Sequence, residues 1–463
     1  MIGSYKPITW PIFYIISITV IFSTFALSAL TGVYFLGFLG VIFGAYLTTL
    51  IENSKEYIAF EVLLLLSFQN AIIGIFGHIG SQTETLVYLT QIPFAFLFLT
   101  YVFLVIQGKL NFSKETFAIF IVILCIIFAL SKGGSISNIL LQVRNLTTFY
   151  FGFEVGKYSL DNEKALKKFV QKFVYLAYFM LFIGIILLVG GFEFYKIIGI
   201  ENVYVAKGQP GEGVLEMPGR FTTDVFNIHI ERMGSLYYEP VTLSYFFAAI
   251  TIYSYKIKWT ESNEIRNLTA CLMLLGVILT GGKGGMLIIG AFVISNVLLS
   301  MFSSSFLRLT YRSSFWCATV ISFVVVGIFS NYYGQEYAGP AAAHFNTIEQ
   351  TFQTILRTPF GHGLAQGGFN TPGHDLIETG AESALMSFGY QLGFQGILAI
   401  FLVFFEMTKT CLKSFSKKEY YSLAFIPLIL FGVSLFQLNT YTPQAILPFV
   451  LVIGANLLTN GEK

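Results

Sequence analysis

"PIFYIISITVIFSTFALSAL", residues 11–30, decides what kind of protein this is. The run carries no charge, and as a helix it is long enough to cross the roughly 30 Å hydrocarbon core of a bilayer. It exceeds the apolar core of a secretory signal and lacks a convincing small-residue cleavage site, so it reads as a first membrane span. Similar runs recur to the far end of the chain. Of the 463 residues, 55% are hydrophobic and 11% charged, where a soluble domain carries about 25% charged residues. The composition excludes a soluble domain on an anchor. It also excludes an outer-membrane barrel, whose strands alternate apolar and polar residues over about ten positions. The fold class is an all-α polytopic membrane protein, a single integral membrane domain over residues 1–463.

About fourteen segments have the length and apolarity of a span, over residues 9–30, 34–51, 57–77, 84–107, 115–131, 135–156, 169–190, 238–255, 267–281, 284–302, 314–330, 384–408, 421–438 and 442–459. With the N-terminus in the cytoplasm, the basic clusters "KYSLDNEKALKK", "YKIKWTESNEIR", "LRLTYRSS" and "KTCLKSFSKKE" all fall inside, as the positive-inside bias requires. Two long hydrophilic segments then fall outside, 191–237 and 331–383. They hold four of the five histidines. Long loops of this kind are usually functional or disordered, so the outer face is where the chain is expected to act. The four cysteines, Cys125, Cys271, Cys317 and Cys411, lie in spans or a cytoplasmic loop, which implies no disulfide framework. The net charge of +2 says nothing about nucleic acid, but the chain has no basic stripe of the kind nucleic-acid binders carry, so no nucleic-acid partner is expected.

Charge meets apolar chain most abruptly in "ERMGSLYYEPVTLSYFFA", residues 231–248. Pro240 suits a first helical turn and places Glu239 at its cap. Arg232 and, further on, Lys283 in "LTGGKGGML" stand beside outward helix N-termini, whose free N–H groups favour an anion. Lys283 sits in a glycine hairpin expected to give it little room to reach bulk water. Arg232 has two blander roles, an ion pair with Glu239 or a reach to lipid head groups. "HFNTIEQTFQTILRTPFGHG", residues 344–363, spaces Phe345, Ile348, Phe352, Ile355 and Leu356 as an amphipathic helix on the membrane surface, stopped by Pro359. Arg144 lies mid-span on a polar stripe with Ser135, Asn138, Gln142 and Asn145. Charge at that depth is paired or functional, and Glu61 is one expected partner. His344, His374, Asp375, Glu378 and Glu382 are acid–base candidates, while His362 reads as a solvated loop residue. Asp224, His229 and Glu231 match no strong metal-ligand spacing, so no metal and no cofactor is expected. Tyr195, Tyr204, Tyr237, Tyr238, Tyr332, Tyr333 and Tyr337 offer either stacking faces for sugars or an interfacial aromatic belt.

Four pieces in order, "ERMGSLYYEPVTLSYFFA", "LGVILTGGKGGMLIIG", "HFNTIEQTFQTILRTPFGHGLAQGG" and "AESALMSFGYQLGFQGILAIFLVFF", resemble the Wzy-type O-antigen and capsular polysaccharide polymerases and the related O-antigen ligases. The resemblance covers residues 230–402. Lys283 stands where the family pattern has arginine, and His344 where the ligases and many polymerases have arginine. Glu382 and Ser383 stand where the ligases have a histidine–asparagine pair, which tilts the resemblance towards the polymerases. It implies a GT-C-like fold in the bacterial cytoplasmic membrane and a metal-independent glycosyltransferase facing the periplasm or exterior. The substrate implied is an oligosaccharide repeat on undecaprenyl diphosphate, with membrane lipid and a chain-length regulator as partners. Arg232, Lys283, His344, Arg220 and Arg357 would then face the diphosphate, since fixed charge stabilises a leaving group. Glu382, His374 and Glu239 would supply acid–base groups, Glu382 being the first choice of base. A ligase, a lipid-linked sugar flippase and a membrane scaffold are the rival readings.

The arrangement of spans has a direct check. Single cysteines at Gly211 and Asn370 should react with an impermeant maleimide from outside, and cysteines at Asn162 and Ser416 only after permeabilisation. Outside labelling at Asn162 would overturn it.

Overall fold

The computed structural model describes residues 10–80, 86–110, 115–130, 136–206, 213, 215, 220–225, 228–301, 340–367, 383–415, 419–455 and 457. Their secondary structure is helical apart from one two-stranded hairpin. Every expected span contains helix except 314–330, which lies outside the described residues. Among the described residues five helices are long and apolar enough to cross a membrane: α1 (Trp10–Thr31), α3 (Glu56–Gly80), α8 (Glu163–Ile197), α11 (Asn263–Thr280) and α14 (Ala384–Ser414). Shorter apolar helices accompany them, including α2 (Tyr34–Thr49) and α5 (Ile92–Ile106). This is the make-up of an α-helical, multi-pass membrane protein. The expected span 84–107 is divided, with a short α4 (Leu86–Leu89) before α5, whose Pro93 occupies the first turn. The span expected to be short, 267–281, is an unbroken helix of 18 residues.

The chain forms two compact units. One comprises residues 1–111, 150–286 and 443–463, the other residues 112–149 and 287–442. In the first unit, α1, α2 and α3 meet around Glu61, which is fully buried. A buried carboxylate is tolerated only when hydrogen-bonded. Ser17 of α1 donates to one oxygen at 2.5 Å and Thr48 of α2 to the other at 2.8 Å. Two hydroxyls therefore take the place of the expected Arg144 partner. Arg144, in α6–α7 order on α7 (Ile136–Ser159) after α6 (Glu115–Leu130), directs its Nε to Asn145 at 3.3 Å.

The expected outer segment 191–237 carries structure. Gly191, at φ 65° and ψ −161°, breaks α8, and the chain continues through α9 (Ile200–Ala206). β1 (Thr222–Val225) then pairs antiparallel with β2 (Ile228–Glu231), setting Asp224 opposite His229. A 3-10 turn over Ser235–Tyr237 leads into α10 (Pro240–Lys256). The turn is tied into the helices. The Tyr195 hydroxyl accepts from the Gly234 and Ser235 amides at 2.8 and 3.1 Å, and the Ser235 hydroxyl donates to the Met180 carbonyl at 2.7 Å. Asn70 of α3 donates to the Tyr237 carbonyl. Tyr195, Tyr204, Tyr237 and Tyr238 are all buried. They are neither exposed stacking faces nor an interfacial belt, because each ring fills interior space between helices. Tyr332, Tyr333 and Tyr337 lie outside the described residues.

In the second unit α6 packs on α14 and so does α13 (Pro340–Arg357), with α15 (Ile426–Ser434) beside them. The expected amphipathic helix exists and ends before Pro359. Its buried face runs through Thr347, Ile348, Thr351 and Ile355, with Phe352 edge-on to Phe394 at 6.3 Å. Leu356 is 55% exposed, so the apolar stripe is rotated from the expected one and admits two threonines. Both hydroxyl groups belong to side chains small enough for close packing, and Thr351 returns its proton to the Thr347 carbonyl at 2.7 Å.

Gly393 breaks α14 at φ 73°. The turn after Pro359 fills the break. His362 N–H donates to the Tyr390 carbonyl at 2.9 Å, Gly363 N–H to the Gln391 carbonyl at 3.0 Å, and Phe394 N–H to the Pro359 carbonyl at 3.0 Å. The His362 ring stacks on Tyr390 at 4.0 Å and is half-buried, so it packs against α14 where the sequence suggested a solvated loop residue. Replacing Gly393 by alanine should lower the melting temperature of the detergent-solubilised protein. A side chain in that left-handed conformation costs about 1–2 kcal/mol, and its Cβ would press on the Pro359 carbonyl. Gly290→Ala, with open space around the new methyl in α12 (Lys283–Met301), should leave it unchanged or higher.

Candidate anion-binding site

The charges of the first unit that the sequence placed outside, Arg232 and Lys283, lie where α11 ends. A helix leaves its last carbonyls without intrahelical donors. Here Gly281 turns left-handed at φ 57° and its N–H returns to the Ile278 carbonyl at 2.9 Å. Residues following β2 supply the other donors. Met233 N–H donates to the Leu279 carbonyl at 2.9 Å, and Arg232 Nε donates to the Thr280 carbonyl at 2.8 Å. The Arg232 N–H extends the hairpin ladder by donating to the Phe221 carbonyl at 2.7 Å. Arg232 is only 6% exposed. Its guanidinium therefore caps a helix C-terminus, where a cation is favoured, instead of standing at an N-terminus as the sequence pattern suggested.

Burial works against the charge of Arg232, while Glu239 and Tyr204 favour it. Glu239 takes the N-cap position of α10 with extended backbone, at φ −152°, and its side chain makes no capping bond. Of the two roles expected for it, orienting the arginine is the one the geometry supports. Tyr204 completes the group. Its hydroxyl donates to the Tyr238 carbonyl at 3.1 Å, and the Arg220 guanidinium lies 5.0 Å from its ring centre. Burial first, then Glu239, raise the Tyr204 hydroxyl above the usual phenol range, and Arg220 opposes them. The buried Tyr204 phenol thus has the Arg220 guanidinium at its ring, and both it and Arg232 lie in the field of Glu239. Ser235 and Tyr238 hold the intervening turn in left-handed conformations, φ 44° and φ 50°, each costing about 1–3 kcal/mol unless the surroundings impose it. The bonds from Tyr195 and Met180, and that of the Tyr238 hydroxyl to the Ile198 carbonyl at 3.1 Å, impose it here.

Lys283 opens α12, three residues beyond the carbonyl that Arg232 holds, and it is exposed. Its ammonium is therefore not confined in the hairpin. The glycines beside it serve packing against α10. A Cβ on Gly285 would meet the Ser244 carbonyl at 2.5 Å, and the Gly285 N–H donates to the Ser244 hydroxyl at 3.2 Å. That close crossing leaves the lysine side chain on the open side.

The remaining expected residues belong to the second unit. Arg357 is exposed in the last turn of α13, and His344 lies on the same helix. Glu382, His374, Asp375 and Glu378 lie outside the described residues. Ser383 is buried and caps α14: it accepts from the Met386 N–H at 3.2 Å and donates to the Ser434 carbonyl at 3.1 Å. Among the described residues no group of three or more His, Cys, Asp or Glu is placed to hold a metal. The sequence offered Tyr204 as a sugar-stacking face or part of an aromatic belt and not as a buried partner of Arg220. It gave no signal for the Thr280 carbonyl, which is a backbone atom.

No family model, curated protein or solved structure matches the chain.

Stability measurements separate the roles of the cations. Arg232→Ala leaves a helix-end carbonyl and Glu239 without their donor, and should cost about 1–3 kcal/mol. Tyr204→Phe removes one hydrogen bond and should cost about 1 kcal/mol. Lys283→Ala, at an exposed position, should change stability by less than about 0.5 kcal/mol. Denaturant or thermal unfolding of each variant in detergent gives the comparison.

Proposed function

We propose that the chain is a polysaccharide polymerase that transfers a growing glycan from undecaprenyl diphosphate to another lipid-linked oligosaccharide repeat. The observation that carries this reading is the junction of α11 and α12, where Arg232 is locked on the Thr280 carbonyl next to exposed Lys283. These residues come from two of the four pieces that resemble the polymerase family. A diphosphate leaving group requires positive charge fixed before the bond breaks. Lys283 would meet the diphosphate directly. Arg220 and Arg232, oriented by Tyr204 and Glu239, would supply the surrounding field; His344 and Arg357 are the further cations that the resemblance implies.

In the proposed step an acceptor hydroxyl attacks the anomeric carbon of the donor sugar. The bond from that carbon to the diphosphate breaks, undecaprenyl diphosphate leaves with the electron pair, and the hydroxyl proton passes to a base. Such a base must reach the hydroxyl by a hydrogen bond, directly or through one water; Glu382 is the first choice for it and His374 the second. The chemistry asks for no cofactor and uses cationic side chains in place of a metal. The reading includes about fourteen spans in a GT-C-like arrangement, with the site on the outer face of the bacterial cytoplasmic membrane and a chain-length regulator as partner.

Purified protein in nanodiscs, given the lipid-linked repeat of its host, should yield a ladder of polymers. Lys283→Ala should abolish the ladder with unchanged melting temperature, and Glu382→Gln should abolish it while substrate still binds. Transfer of single repeats to a lipid A core would favour a ligase. Translocation without new glycosidic bonds would refute group transfer.

A further inference from the structure

A second charged feature lies in the first unit, apart from the site above. α3 and α8 run side by side with Glu56 near Lys172 at one end and the Phe68 and Phe179 rings stacked at 5.8 Å further along. Between them lies a groove with a cavity volume of about 440 Å³, lined by residues that include Tyr57, Phe60, Leu64, Phe68, Lys172 and Phe179. Its chemistry is ordered along its length. On α8, Lys168, Lys172, Leu176 and Phe179 fall on one face at helical spacing. On α3, Glu56, Phe60, Leu64 and Phe68 do the same. From the charged end to the aromatic end each stripe covers about 16–18 Å at 1.5 Å per residue. That is roughly half the 30 Å hydrocarbon core, or one leaflet.

The charged end is not neutral. One Glu56 carboxylate faces two ammonium groups, Lys172 at 3.4 Å and Lys168 at 3.7 Å. Lys172 is also held 4.1 Å from the centre of the Tyr57 ring, which fixes it at the mouth of the groove. Two other acids at that end have their own lysines: Glu163 pairs with Lys167 at 3.0 Å and Asp161 with Lys55 at 2.7 Å. An apolar groove one leaflet long with a net positive mouth fits an amphiphile with a chain and an anionic head. Basic mouths between membrane helices bind anionic head groups in this way.

We infer that the groove between α3 and α8 binds one anionic phospholipid, with an acyl chain along Phe60, Leu64, Phe68 and Phe179 and its phosphate against Lys168 and Lys172. A zwitterionic lipid offers the same chain and no net charge, so the head group is what the mouth selects.

The test counts lipids on the full-length protein by native mass spectrometry. Phosphatidylglycerol and phosphatidylcholine with identical chains are titrated in separate arms. The first phosphatidylglycerol should bind about fivefold more tightly, the contribution expected from one uncompensated ammonium. A Lys168→Gln, Lys172→Gln double variant should bind the two lipids equally, and Lys164→Gln, Lys167→Gln on the same helix should keep the preference. Leu64→Trp, which fills the groove, should weaken the first phosphatidylglycerol. Equal binding by the wild-type protein would overturn the inference without any variant. A preference that survives Lys168→Gln, Lys172→Gln, or is untouched by Leu64→Trp, would place the anionic lipid elsewhere and overturn it as well.

Discussion

Backbone groups freed inside apolar surroundings must find partners, because an unsatisfied N–H or C=O there costs several kcal/mol. The architecture depends on that constraint at three helix breaks: Gly191, the Gly281–Gly282 junction and Gly393. At the junction and at Gly393 an irregular segment supplies the missing partners. Residues 232 and 233 serve the end of α11, and the turn 359–363 serves the kink of α14. After Gly191 the dependence is reversed: Tyr195, just beyond the break, accepts the amides of the 234–235 turn. The segments outside the long helices are therefore structural complements to helices as well as connections.

This dual use accounts for the placement of charge. Arg232 is held by the carbonyl it caps, which removes much of the freedom an arginine ordinarily has. Glu239 and Tyr204 act on its charge, so its surroundings come from the end of α11, α9 and the start of α10. Lys283 has the opposite character. It is exposed on a junction whose glycines let α10 approach closely. A rigid buried cation beside an accessible one is a reasonable arrangement for an anion that must arrive and leave. The same division explains why one substitution is expected to cost stability and the other only function.

Buried hydroxyls and phenols do comparable work elsewhere. Ser17 and Thr48 make Glu61 compatible with a fully buried position joining α1, α2 and α3. The lysines at the start of α8 follow a different rule. Lys168 and Lys172 face Glu56 and the mouth of a groove open to the surroundings, so their charge is available to a lipid head group while their helix continues into apolar residues.

The sequence by itself determined the helical, multi-pass character of the chain, because uncharged runs as long as residues 11–30 leave few alternatives. It also located most helices, the α13 helix and its stop at Pro359, since hydropathy and proline act locally. It did not determine which end of which helix receives Arg232, since a guanidinium suits a C-terminal carbonyl as well as an anion at an N-terminus. Tyrosines 195, 204, 237 and 238 have the composition of a surface belt, and only packing placed them inside. Leu356 matches a helical period yet faces outward, because Thr347 and Thr351 fit more closely against α14 than the pattern of apolar residues could indicate. Tertiary structure decided these points because each depends on a partner distant in the chain: Thr280 for Arg232, Ser17 and Thr48 for Glu61, and the 359–363 turn for the break at Gly393.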